Sequence, residues 1–113
     1  MLIKKEDSRK FSIPGGTDGW LYPSNLQADQ TIAYVEMDGV YPEKGYSIND
    51  VCTETFFVVE GSLTVCIDDE IYELAKGDVI IVLPGKKYNT KGKAKIVDFI
   101  TPIWEKNNNK IIQ

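Results

Sequence analysis

From Thr31 onward, β-branched and aromatic residues recur in short runs, and the breaks between the runs are Gly, Pro, Asp and Asn. Thr31–Met37 stops at Asp38-Gly39, and a loop-like stretch, Tyr41–Asp50, carries Pro42, Gly45 and Asn49. Glu54–Val59 ends at Gly61. Ser62–Ile67 and Glu70–Leu74 flank Asp68-Asp69, a two-residue link between alternating runs that reads as a tight hairpin. Lys76-Gly77-Asp78 turns the chain into Val79–Leu83, Pro84-Gly85 turns it again, and Ala94–Ile100 forms a last strand before Pro102. No segment shows the 3.6-residue apolar period of a helix. The pattern predicts an all-β protein whose antiparallel strands avoid open edges by closing into a barrel or a two-sheet jelly roll.

At 113 residues the chain has room for one hydrophobic core and not for a second domain. Three parts are expected: a loop-rich N-terminal arm over 1–30, a barrel over 31–105 and a C-terminal tail over 106–113. The arm contains Pro14-Gly15-Gly16, Gly19-Trp20 and Pro23, and it either lies along the barrel wall or crosses to a partner subunit. In the tail, Asn107-Asn108-Asn109-Lys110 is turn-prone, so Ile111 and Ile112 either dock or fray.

Charge narrows the partners. The chain has 13 Lys and Arg against 17 Asp and Glu, a net −4, and the basic residues are scattered, so nothing predicts nucleic-acid binding. Met1–Lys10 is mostly charged and Val79–Leu83 is the longest apolar run, so neither a signal peptide nor a membrane span is expected, and the expected location is cytoplasmic. Cys52 and Cys66 are expected to be free thiols.

Two stretches carry more specific information. Glu54 and Gly61 are separated by Thr55-Phe56-Phe57-Val58-Val59-Glu60, and later comes Leu74-Ala75-Lys76-Gly77-Asp78-Val79-Ile80-Ile81-Val82-Leu83-Pro84-Gly85. Together, from about Gly45 to Tyr88, these resemble the paired motifs of the cupin superfamily, with Leu83 standing where that family has its first proline. The resemblance implies a single-domain cupin-type β-barrel, a double-stranded β-helix or jelly roll. It also implies a metal held by that glutamate, by two histidines placed one apart shortly before it, and by a third after the Pro/Gly turn. This chain has no histidine. The first two positions fall on Ile48 and Asp50 or, with the longer spacing, on Ser47 and Asn49, and the third falls on Tyr88. Only Glu54 survives, so neither a metal nor another cofactor is expected, because transition-metal sites of this kind depend on imidazole nitrogen.

If alternate residues point into the barrel, Glu54, Phe56 and Val58 share one face and Tyr88 approaches from the second motif. Tyr34 and Glu36 join them if the register turns their face inward, and Asn49 and Asp50 stand at the preceding loop. Such a cavity suits a small molecule. Glu54, its pKa raised by desolvation, could act as a general acid or base with Tyr88 as its partner, or it could complete the lining through a hydrogen bond. Two functions follow. One is metal-independent binding of a small polar metabolite, sugar-like or a carboxylate, at Tyr34, Glu36, Asn49, Asp50, Glu54, Phe56 and Tyr88. The alternative is a metal-independent sugar isomerase, epimerase or small lyase in which Glu54 and Tyr88 are the acid and base. A homodimer of two-fold symmetry is expected on either reading.

Overall fold

In the computed structural model, which describes residues 1–113, every strand predicted from Thr31 onward is present. The elements are β1 (Arg9–Ile13), β2 (Thr17–Leu21), β3 (Thr31–Tyr41), β4 (Tyr46–Asn49), β5 (Thr53–Ile67), β6 (Glu70–Ala75), β7 (Val79–Val82), β8 (Tyr88–Thr101) and β9 (Asn109–Ile112). β8 is the centre. It pairs antiparallel with β3 on one side and with β5 on the other, β2 and then β1 extend the β3 side, and β6 and β7 pair with β5. The sheet curls into a half-barrel, and its concave face carries the core around Met37, Phe56, Val58, Leu63, Val65 and Ile96.

Two breaks in the sequence pattern are bends within strands. Up to Val58 the even-numbered residues of β5 are buried (Glu54, Phe56, Val58), whereas beyond Gly61 the buried ones are odd (Leu63, Val65). A one-residue register shift between Val58 and Glu60 accounts for the change: one extra residue in β5 leaves both halves facing the core while β8 keeps its own alternation. At the other break, Gly39 of β3 lies opposite Gly92 of β8, with φ of 147° and 148°. A Cβ at Gly92 would run into the carbonyl of Ser62, so the strands approach closely only because no side chain is there. The Asp68-Asp69 hairpin is present, both residues having positive φ, 46° and 71°, as a type I′ turn requires.

At the chain ends the structure adds strands and takes one of the alternatives left open for each. The arm read as loop contains the β1–β2 hairpin, which turns at Pro14-Gly15-Gly16 and lies along the wall through β2 and β3. Its runs of five residues, interrupted by Gly19, are too short for alternation to reveal. Gly19 has its own packing role: a Cβ there would collide with the ring of Phe11. In the expected loop before Asp50, β4 forms and receives β9, with Tyr46 opposite Ile112 and Asn49 opposite Asn109, so the tail docks. Cys52 is buried, Cys66 is half-buried, and both are free thiols. No helix is long and apolar enough to cross a membrane.

Replacing Gly92 with alanine forces both a strained φ and a clash with Ser62. The expected result is a loss of about 1–3 kcal/mol, read as a lower denaturant midpoint at unchanged slope; an unchanged midpoint would show that the close approach does not constrain the fold.

Candidate functional site

Because paired residues share a face, the register sorts the concave surface into rows. One runs Phe11, Gly19, Val35, Ile96 and Val58; the next runs Arg9, Leu21, Ala33, Asp98 and Phe56; Thr31, Ile100 and Glu54 follow. Most members of these rows, Gly19, Val58 and Thr31 excepted, line a cavity of ≈ 200 Å³ whose lining is mainly apolar, with Thr17, Glu54, Tyr88, Asp98 and Asn109 among its polar members.

Two carboxyl groups meet in this wall. Glu54 is buried, and Asp98 sits diagonally across the β5–β8 ladder, opposite Phe56. Asp98 Oδ1 is shielded from solvent and receives no hydrogen bond from any N–H or O–H group of the protein. Burial pushes Asp98 well above the ordinary carboxylate range, and the charge of Glu54 and the hydrogen bond to it push it further. Burial also raises Glu54, while hydrogen bonds from Asp98 and Tyr88 act in the opposite direction and favour its ionised form. The pair therefore titrates as one unit, and burial favours its protonated forms. Burial first, and then the neighbouring Glu54 charge, holds the Tyr88 phenol far above its usual value, so it stays a neutral donor. Polar contacts continue outward: Tyr41 Oη and Ser47 Oγ are 3.3 Å apart, and Ser47 Oγ donates to Asn109 Oδ1 at 3.4 Å.

Of the residues singled out from sequence, Glu54, Phe56 and Tyr88 share the cavity. Tyr34 and Glu36 do not, because β3 turns Ala33, Val35 and Met37 inward and leaves them on the convex side, where Tyr34 Oη donates to Glu36 Oε2 at 3.2 Å. Asp50 is exposed. Asn49 is buried but outside the cavity, its Oδ1 accepting the N–H groups of Val51 at 2.9 Å and Cys52 at 2.8 Å. Sequence reasoning missed Asp98, though it could have been found: it occupies the buried parity of Ala94, Ile96 and Ile100, one carboxylate in an apolar series. It also missed Thr17, a cavity residue whose Oγ1 is buried without a protein partner. Nothing in its local sequence marks it.

The residues do not fit the metal that the cupin resemblance implies. β4 turns Ser47 and Asn49 inward, so the longer spacing is the structural one, and Ser47 pairs with Tyr88. Around Glu54 the imidazole positions thus present a serine hydroxyl, an amide committed to its own loop and a neutral phenol. No group of three His, Cys, Asp or Glu side chains converges that could hold a metal ion.

The sequence profile of the Cupin domain matches residues 42–97, which run from the loop before β4 into β8. The chain belongs to the cupin superfamily. Among solved structures, this cupin is similar to Pac13, a nucleoside dehydratase of Streptomyces, with a TM-score of 0.89 at 18% identity over 100% of this chain and 91% of that one. A tyrosine-to-phenylalanine variant of that enzyme with uridine aligns equally well, at 0.89 and 19%. KdgF from Halomonas sp. aligns with a TM-score of 0.75 at 14% identity over 95% of this chain and 96% of that one. An RmlC-like cupin from Shewanella frigidimarina aligns with 0.71 at 20% over 95% and 98%. At these identities the likeness establishes the fold. No curated protein matches by sequence.

A carboxyl that keeps its proton in the folded state but would lose it on unfolding costs stability as pH rises from its unfolded value toward its folded one. Asp98→Asn removes that cost and still donates to Glu54. The Tm of this variant relative to the unaltered protein should therefore climb as pH rises above the ordinary carboxylate range; a difference independent of pH would mean that Asp98 is not held protonated.

Proposed function

We propose that this cupin is a metal-independent acid–base enzyme of the lyase type, one that eliminates water from a small, polar, sugar-like metabolite bound in the half-barrel. The observation that carries the reading is the pairing of two carboxyl residues, Glu54 and Asp98, in the wall of one mainly apolar cavity. Two buried carboxyls that titrate together can hold one proton between them and so provide a base and an acid at the same pH. In the elimination, the Glu54 carboxylate takes a proton from carbon beside a carbonyl, and the C–H electron pair becomes the new C=C bond. The hydroxyl on the next carbon leaves as water with the proton from Asp98. The dyad ends with its proton moved to Glu54, and transfer between the two carboxyls resets it. Tyr88, neutral and beside Glu54, can donate to the carbonyl oxygen as charge builds there.

Two further points support the choice of reaction and ligand. The similar fold of a nucleoside dehydratase supports, by analogy of scaffold, an elimination on a sugar-bearing substrate. The cavity's ≈ 200 Å³ falls below the roughly 300–1,000 Å³ of drug-sized sites and suits a single sugar ring. Buried Thr17 Oγ1 is available to a ligand hydroxyl.

The test incubates the protein with nucleosides, sugars and sugar acids and follows loss of one water by mass spectrometry. Glu54→Gln should lower turnover by about 10²–10⁴-fold with the fold and ligand affinity kept, and Tyr88→Phe by less. The rate should be bell-shaped in pH, with an acid limb above the ordinary carboxylate range. Ligand binding without turnover of any carbonyl or β-hydroxy substrate would reduce the protein to a binding module. An exposed apolar strip on the convex side, with Phe57 beside Val79 on adjacent strands and Ile81 two residues on, supports the pairing of two copies. A monomeric mass in light scattering at micromolar concentration would end that part of the reading.

A further inference from the structure

The chain contains one arginine, Arg9, and it lines the cavity. Every other basic residue lies elsewhere: no lysine lines the cavity, and Lys5 and Lys10 sit over the ring of Trp20. Three ion pairs form in the protein, Lys86–Asp68, Lys87–Asp69 and Lys95–Glu60, and Arg9 takes part in none of them. Its place follows from register. Arg9, Leu21, Ala33 and Asp98 stand in one row across β1, β2, β3 and β8, so Arg9 and Asp98 share the concave face three strand spacings apart. Along the sheet that is about 14 Å, and the curl brings the two ends to face one cavity. Arg9 does not neutralise the dyad by direct contact, since it forms no ion pair with Glu54 or Asp98.

We propose that Arg9 makes the cavity selective for an anionic metabolite, its guanidinium holding a carboxylate or phosphate group at the exposed rim while the hydroxyl-bearing remainder reaches Thr17 and the Glu54–Asp98 pair. A guanidinium matches either oxyanion with two parallel N–H donors, a geometry no other side chain here can supply. The rim position explains why the cation is not paired: a ligand anion does not compete with a protein carboxylate. It also sets the ligand's orientation, anion outward and reacting carbon inward. This inference rests on the acid–base reading only for what happens at the inner end; anion recognition at the rim stands or falls separately.

The experiment uses matched probes by titration calorimetry: glucose, glucuronate and glucose 6-phosphate, and uridine with uridine 5′-monophosphate. An anionic member should bind at least about tenfold more tightly than its neutral partner, the expected effect of a charge-assisted hydrogen-bonded pair, and this advantage should shrink with added salt. Arg9→Gln should abolish the advantage without changing Tm, since Arg9 is exposed, and Arg9→Lys should restore part of it. The carboxylate and phosphate arms decide which group is held. Equal binding of neutral and anionic partners, an advantage that survives Arg9→Gln, or no binding of any anionic probe at millimolar concentration overturns the proposal. Turnover of a neutral probe that depends on Glu54 would keep the acid–base reading and reject Arg9 as the selector. Arg9-dependent binding of anionic probes with no turnover would do the reverse.

Discussion

The structure depends on one long strand that is hydrogen-bonded on both sides. β8 runs for 14 residues, pairing with β3 along one edge and with β5 along the other, so neither neighbour can slip without breaking a ladder on which the other also relies. The bends at Gly61 and at the Gly39–Gly92 pair let these three strands curl together while their side-chain alternation stays in phase with the core. Through that alternation, β8 delivers Tyr88, Asp98 and Ile100 to the same face to which β5 delivers Glu54 and Phe56. Position along β8 thus decides which chemistry meets which.

Two carboxyls in an apolar wall are unfavourable for stability, since burying a charge without a partner costs far more than burying a methyl group. Burial raises the pKa of both groups, so the cost falls as the pair takes up a proton, while Asp98 and Tyr88 act on Glu54 in the opposite direction. Burial of this kind is what moves a carboxyl pKa upward, the direction that acid–base chemistry at neutral pH requires. Histidine would reach the same range unperturbed; in its absence, burial does the tuning.

Family resemblance and local chemistry diverge at the same few positions. The cupin scaffold brings Ser47, Asn49, Glu54 and Tyr88 to the places that hold a metal elsewhere in the superfamily, yet apart from the Glu54 carboxylate these side chains offer hydroxyls and an amide whose oxygen is already engaged by Val51 and Cys52. The two ends of the chain supply what the central motifs do not. The N-terminal hairpin contributes Arg9, Phe11 and Thr17 to the cavity, and the C-terminal segment contributes Trp104 and Asn109, with Trp104 anchored by its N–H to Thr31 Oγ1 at 3.0 Å.

The sequence by itself determined the all-β class, the cupin motifs, the hairpin at Asp68-Asp69 and the inward set of Glu54, Phe56 and Val58. These are properties of neighbours along the chain: period-two alternation, turn residues and motif spacing act within a few residues of one another. It also showed that no histidine could serve a metal. Only the tertiary structure decided which face of β3 turns inward, because Tyr34 and Glu36 are as plausible in a strand as Ala33 and Val35 until β8 sets the register. The same holds for the pairing of Asp98 with Glu54, two residues 44 positions apart whose meeting depends on the β5–β8 ladder and its one-residue shift. Arg9 and Thr17 came to the cavity through the β2–β3 pairing, a long-range hydrogen-bonding choice that leaves no mark in the local sequence.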